Sequence, residues 1–147
     1  MLASSNLTYA IKLTDLYSKF SATKANRISI FLDACFTGGG RVAGLLAARG
    51  VKIKPKAETL SGNLIVFAAT SEDLSALPYK DMKHGMFTYF LLKKIQETKG
   101  VVTYGELEKS VRENVAIESL KINSKAQDPK ASISPDVLST WETWKIK

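Results

Sequence analysis

The sequence predicts an α/β protein in which helices cover a mostly parallel sheet. Two continuous apolar runs, Ile28–Leu32 and residues 64–69, are typical of strands buried between helices. Residues 85–98 and the stretch after Thr103 have instead the spacing of amphipathic helices. Strands that alternate with helices along a chain indicate a layered architecture.

The first half of the chain supplies one short helix and the first strand. Thr14 is predicted to cap a helix that continues through Phe20, and the strand Ile28–Leu32 follows. Residues 42–48 are small and apolar, which is compatible with a helix. Residues 51–58 predict a basic connection interrupted by proline, and the second strand comes after it.

The second half begins with a polar loop over residues 70–84 and continues into a helix over about 85–98. Phe87, Leu91 and Ile95 recur at i, i+4 and i+8, so this helix is expected to pack on the sheet. The neighbouring aromatic side chains are interpreted as core packing and not as a cage for a substrate.

A second helix is predicted to start at a capping box, with Thr103 as N-cap and Glu106 at the N3 position. Its buried face is then formed by Leu107, Val111 and Val115. The tail over residues 121–147 is polar and contains two prolines, and we expect two tryptophans to anchor it: Trp141 and Trp144.

Composition restricts the functions that are open to the chain. At 147 residues, with 45% hydrophobic and 24% charged residues, it is one domain by size or a piece of a larger one. The net charge of +7 is dispersed, and its densest stretch, residues 52–56, is too short to predict nucleic-acid binding. No apolar run approaches the roughly 18 residues of a membrane span, and residues 1–13 do not resemble a secretory signal.

Cysteine usage points to a reducing compartment, and we expect a cytoplasmic protein. Cys35 is the only cysteine, so an internal disulfide and a multi-thiolate metal site are both excluded. No metal site and no cofactor are predicted.

The segment of residues 27–41 is the best candidate for a chemical site. It contains Cys35 where an apolar strand ends and three glycines begin, so the sheet can hold the thiol while the loop lets a substrate approach the backbone. The backbone N–H of Cys35 is a natural donor for an oxyanion. A lone cysteine in such a place is more often a small buried apolar residue. The surrounding motif favours the interpretation of Cys35 as a nucleophile.

A carboxylate precedes the thiol in this segment. Asp33 is expected to project into the same cleft, where a basic substrate side chain is its obvious partner. Ligands of open parallel sheets bind outside the carboxyl ends of the strands, so the loop from Thr70 is expected to line this cleft too. The plainer interpretation of Asp33 is a cap for the loop that follows it.

Three segments carry a resemblance to a known family. The segment Asp33-Ala34-Cys35-Phe36-Thr37-Gly38 resembles the D-[AS]-C-[FH]-S-G nucleophile motif of caspase-like cysteine peptidases, the bacterial relatives of caspases and metacaspases. Residues 83–95 are similar to the helix that follows the next strand in that family, and Gln127-Asp128-Pro129 to its late Q-[TD]-P signature. Thr37 replaces the usual serine and keeps the hydroxyl.

The resemblance implies a caspase-like three-layer sandwich and an endopeptidase. Cys35 would hydrolyse peptide bonds through an acyl-enzyme, and Asp33 would help to form an acidic S1 pocket that selects arginine or lysine. Asp73 or Glu72 would add to that pocket from the loop after the second strand. The implied partner is a polypeptide substrate with a basic P1 residue, and the sequence leaves a Ca²⁺ requirement open.

The general base of the family is not found where the resemblance would place it. The catalytic histidine lies roughly 50 residues before the cysteine, whereas only 34 residues precede Cys35 and none is histidine. Residues 1–147 are therefore interpreted as the C-terminal portion of the catalytic domain, without its N-terminal strands. We expect an upstream segment or subunit to carry the histidine, and the unpaired sheet edge to favour a homodimer. The sole histidine, His84, is expected at a helix start in solvent.

Two other functions remain open at this point. Residues 38–43 fit G-x-G-x-x-A after a strand, with Glu58 at a suitable distance for a ribose, which would indicate a dinucleotide-binding module. That interpretation leaves Cys35 unexplained, and no clear strand ends at Glu58. The second alternative is a caspase-like interaction module without catalysis.

Overall fold

The structure, a computed structural model, describes residues 11–34, 60–71 and 74–147, and within these ranges the chain is mixed α/β. The described helices are α1 (Leu13–Ser21), α2 (Met86–Glu97) and α3 (Tyr104–Asn123). The described strands are β1 (Ile28–Leu32), β2 (Leu64–Ala68), β3 (Pro78–Tyr79), β4 (His84–Gly85) and β5 (Lys130–Ile133). Short 3-10 turns cover Lys80–Met82, Pro135–Val137 and Trp141–Thr143.

The central sheet has the strand order β1-β2-β5. Strands β1 and β2 are parallel, as the sequence predicted, with Ile28 opposite Leu64 at one end and Leu32 opposite Ala68 at the other. Strand β5 joins the other edge of β2 in the antiparallel direction. Sequence reasoning missed β5, because four residues with a single β-branched member, Ile133, carry almost no strand signal.

Helices cover both faces of this sheet. One face packs against α2, α3 and the C-terminal segment in a large core that includes Ile65, Phe67, Phe87 and Leu107. The other face packs against α1 through a smaller cluster, in which Tyr17, Leu60, Leu64 and Val66 are buried. The alternation of side chains along β2 assigns odd-numbered residues to the large core and even-numbered residues to the small one.

The two parallel strands differ in burial. The first four residues of β2 are buried, whereas the side chains of β1 are only partly buried. Phe31 is 37% exposed although it stacks on Phe67 with ring centroids 4.9 Å apart. The prediction that β1 is buried on both faces is therefore wrong for the described residues, because within them only one of its edges is paired.

Helix α1 begins earlier than predicted. Lys12, and not Thr14, is the N-cap: its backbone is extended and its carbonyl accepts a hydrogen bond from the Leu16 N–H at 3.1 Å. The Thr14 hydroxyl instead donates to Asp15 Oδ1 at 3.4 Å. Because the helix starts at Leu13, Thr14 is its second residue and lies inside the first turn, where its hydroxyl does not act as the N-cap.

Helices α2 and α3 confirm their predictions closely. Gly85 and Thr98 are the caps of α2, and Phe87 and Leu91 are buried against the sheet side. The capping box of α3 is present: Thr103 Oγ1 accepts the Glu106 N–H at 3.3 Å, and Glu106 Oε2 accepts the Thr103 N–H at 2.9 Å. Leu107, Val111 and Val115 then form its buried face.

The C-terminal segment is anchored as the tryptophans predicted. Trp141 packs edge to face on Phe67, and Trp144 packs edge to face on Tyr104. The Tyr104 N–H also donates to the Trp144 carbonyl at 2.8 Å, which satisfies one of the unpaired donors at the start of α3. No described helix is long and apolar enough to cross a bilayer.

Candidate functional site

The carboxyl ends of β1 and β2 meet at one edge of the sheet. Leu32 lies opposite Ala68, and the Ala69 N–H donates to the Leu32 carbonyl at 2.8 Å. Asp33 and Thr70 therefore leave the sheet side by side, as the parallel pairing predicted. This edge is where an open parallel sheet binds its ligands.

Asp33 is held by the first turn of α2. The Thr88 hydroxyl donates a hydrogen bond to Asp33 Oδ2 at 2.6 Å, between residues 55 positions apart in the chain. A short bond to a carboxylate is among the stronger neutral-to-charged hydrogen bonds. It fixes the direction of a partly buried carboxylate at the end of β1.

Asp33 and Thr88 line a cleft of about 490 Å³. Among the described residues, its charged side chains are the Asp33 carboxylate and the exposed ammonium groups of Lys80 and Lys83, with the imidazole of His84 beside them. Pro78 and Gly85 complete the described lining.

A two-stranded hairpin presents the basic side of the cleft. Strands β3 and β4 pair Pro78 with Gly85 and Tyr79 with His84. Lys83 closes the turn in the left-handed region, at φ 57°, which is uncommon for a residue with a side chain. His84 is exposed and directly precedes the N-cap of α2, as the sequence predicted.

Tyr79 ties this hairpin to the core. It is buried and packs against Tyr89 and Phe90 of α2. Burial raises the pKa of the Tyr79 hydroxyl, and the nearby Glu118 carboxylate raises it further. The phenol therefore stays neutral and serves as packing for the wall of the cleft.

Several predicted site residues lie outside the described residues. Cys35, Glu72 and Asp73 are among them, and so are residues 38–43 and Glu58 of the dinucleotide alternative. Of the predicted substrate-binding residues, the structure therefore places Asp33. Within the described ranges there is no group of three or more histidine, cysteine, aspartate and glutamate side chains suited to a metal ion.

Sequence reasoning missed the surroundings of Asp33. The sequence predicts Thr88 only as part of an amphipathic helix, and it predicts residues 78–84 as part of a polar loop. The predicted spacing gave no reason to bring His84 near the end of β1, yet it shares the cleft with Asp33. The threonine at the start of an otherwise apolar helix face was the one available signal.

A scan against protein-family models finds no matching family, and a search of curated proteins finds no match to this chain.

Proposed function

We propose that this chain is the C-terminal portion of a caspase-like cysteine endopeptidase domain, with Cys35 as nucleophile and a preference for cleavage after arginine or lysine. The observation that carries the proposal is the Asp33 carboxylate, held by Thr88 in a cleft at the carboxyl end of a parallel strand pair. Cys35 follows Asp33 by two residues, and two peptide units span at most about 7 Å.

The reaction proposed for Cys35 is acyl transfer. Its thiolate attacks the scissile carbonyl carbon, and the Cys35 N–H donates to the oxyanion that forms. The C–N bond then breaks, the leaving amine takes a proton from the general acid, and water hydrolyses the thioester. Each step uses groups that a cysteine peptidase of this kind supplies.

Asp33 is proposed to bind the basic side chain of the P1 residue, with Asp73 or Glu72 contributing from the loop after β2. A carboxylate held in a fixed direction matches the paired donors of a guanidinium. Lys80 and Lys83 are exposed, so their flexible chains can turn toward water when a cationic side chain enters. Asp33 is half-buried and bonded, and it stays in place.

The general base is proposed to come from a histidine-bearing segment outside residues 1–147, either upstream or in a partner chain. A free thiol of pKa about 8.5 is only a few per cent thiolate at neutral pH, so a base is needed. Within the described residues, one edge of β1 is paired with β2 and the other edge is not paired, which would leave room for a further strand there.

The proposal is tested by the turnover of an arginyl fluorogenic peptide. The isolated chain is expected to have negligible activity, and addition of the histidine-bearing segment is expected to restore it. In the completed domain, a peptidyl affinity label should alkylate Cys35, and Cys35→Ala should lose essentially all turnover while it folds normally. Full activity of Cys35→Ala, or preferred cleavage after aspartate, would refute the proposal.

His84→Ala serves as the matched control for the missing base. Because His84 lines the cleft with Asp33, robust activity of the isolated chain that disappears in His84→Ala would identify His84 as the base. An unlabelled Cys35 in the completed domain would favour the interaction module without catalysis.

A further inference from the structure

The loop between β2 and the hairpin is fastened to one buried side chain. Gln127 Nε2 donates to the Ala69 carbonyl at 2.8 Å, directly after β2. Gln127 Oε1 accepts the Leu77 N–H at 2.8 Å, directly before β3. A single amide therefore joins the two ends of the loop, and it does so across 58 and 50 positions of sequence.

The surrounding bonds leave this amide little freedom. Gln127 is 1% exposed, and its own N–H donates to the hydroxyl of Ser119, which is fully buried, at 3.0 Å. The neighbouring Asp128 carbonyl accepts the Ser71 N–H at 2.9 Å. Since buried polar groups are costly unless they are bonded, the two side-chain bonds hold the Gln127 amide in one arrangement, and the Ser119 hydroxyl satisfies the backbone N–H of Gln127.

The hydrogen-bond network extends toward the cleft through Leu77. The Leu77 carbonyl accepts the N–H of Met86, the first residue of α2, at 3.0 Å. The next residue along the chain, Pro78, lines the cleft, and Thr88 of the same helix turn holds Asp33. Gln127 therefore does not line the cleft, but it bonds to Leu77. Leu77 is linked to α2 by one backbone hydrogen bond and to Pro78 by the peptide chain.

We infer that Gln127 is a positioning residue for the substrate cleft: it locks the Ala69 and Leu77 ends of the loop so that Pro78 and the first turn of α2 face Asp33. The inference rests on the proposed function for what the cleft binds. It gives the Gln127-Asp128-Pro129 segment a physical task, since an apolar side chain there would leave a buried carbonyl and a buried N–H unpaired.

The test compares Gln127→Leu with Ser119→Ala in the full chain. Gln127→Leu has a similar volume and removes both bonds to the loop. Ser119→Ala removes a bond of the same buried network that does not reach the loop, so it controls for loss of stability alone. The first readout is amide hydrogen exchange at Leu77, which we expect to become at least about tenfold faster in Gln127→Leu and to stay nearly unchanged in Ser119→Ala.

The second readout is the affinity for benzamidine, an amidinium probe for a basic-residue pocket, measured by NMR titration. We expect binding to weaken at least about fivefold in Gln127→Leu and to stay within about twofold in Ser119→Ala. If Gln127→Leu does not fold, Gln127→Met replaces it, because it also removes both bonds while its flexible side chain fills the site more easily. The same loss of affinity is then expected.

The outcomes separate the two proposals. If the unaltered chain binds benzamidine and both Gln127 variants bind it equally well, the positioning role of Gln127 is wrong and the basic-residue pocket stands. Equal weakening by Ser119→Ala would likewise reduce Gln127 to a general stabilising role. If the unaltered chain does not bind benzamidine at all, the basic-residue pocket is refuted, and the positioning role falls with it.

Discussion

Helices α2 and α3 begin in opposite ways. The first turn of α3 is closed by its own residues: Glu106, at N3, bonds back to the N-cap Thr103. The corresponding N3 residue of α2 is Thr88, which turns away from its own helix and bonds to Asp33 at the end of β1. Gly85, the N-cap of α2, forms no side-chain cap, and no acidic residue lies in that first turn.

The difference separates a structural helix start from one that serves a cleft. At α3, each polar group of the capping box stabilises the helix locally. At α2, the N3 hydroxyl is directed across the sheet edge, and the helix loses a local cap. Places where a sequence departs from local preferences are where a function is expected, provided a second observation points there. Here the 490 Å³ cleft is that observation.

The largest effect is expected from Asp33→Ala, which removes the carboxylate that Thr88 at the start of α2 bonds to. In the domain completed with its histidine-bearing segment, cleavage after arginine should fall by more than tenfold, because a desolvated charge pair lost on truncation costs about 2–5 kcal/mol. The measurement is kcat/KM for arginyl and for alanyl peptides. An equal loss for both peptides would argue against a role of Asp33 in specificity.

A smaller effect is expected from Thr88→Val, which keeps the shape of the side chain and removes its hydroxyl. KM for arginyl peptides should rise about fivefold or more while kcat changes less, since a hydrogen bond to a charged group contributes about 1.5–3 kcal/mol. Thr88→Ser keeps the hydroxyl and should restore KM. A serine variant as weak as the valine variant would mean that Thr88 acts through packing alone.

The matching change at α3, Thr103→Ala, should affect stability and leave the cleft unchanged. Loss of an N-cap side chain costs about 1 kcal/mol of unfolding free energy, measured by urea denaturation. Benzamidine affinity at the Asp33 cleft should remain as in the unaltered chain. A shift in that affinity would show that the two helix starts are coupled, contrary to the comparison.

The smallest effect concerns pH. Hydrogen bonds from the backbone and side chain of Thr103 lower the pKa of Glu106. A carboxyl group whose pKa is lowered in the folded state adds stability above its unfolded pKa, and this stability is lost as pH falls through the lowered folded value. Urea denaturation at acidic pH, below the unfolded pKa of the Glu106 carboxyl, should show this loss of unfolding free energy. The loss should be absent in Glu106→Gln. An unchanged pH profile in Glu106→Gln would assign the dependence to another carboxyl group.

The same comparison explains which features the sequence could predict. The capping box of α3 joins residues three positions apart, so its pattern can be recognised directly. The bond from Thr88 to Asp33 joins residues 55 positions apart, and that of Gln127 to Leu77 joins residues 50 apart. The sequence pattern does not show which distant residue either side chain bonds to. Strand β2 was predictable because the burial of its first four residues selects apolar side chains, whereas β5 alternates exposed and half-buried residues over only four positions.

Strand β2 has consequences for the order in which the molecule folds. Its partner β1 is already made when β2 is synthesised, but its second partner, β5, starts only at Lys130, near the end of the described chain. A ribosome therefore exposes the apolar run Leu64–Ala68 with one edge unpaired for much of translation. Pairings of such long sequence separation form slowly, and an unpaired edge on an apolar strand promotes aggregation. Of the described strands, the last to emerge is thus the one that pairs the second edge of β2, and the exposure of this apolar run should decrease when it docks.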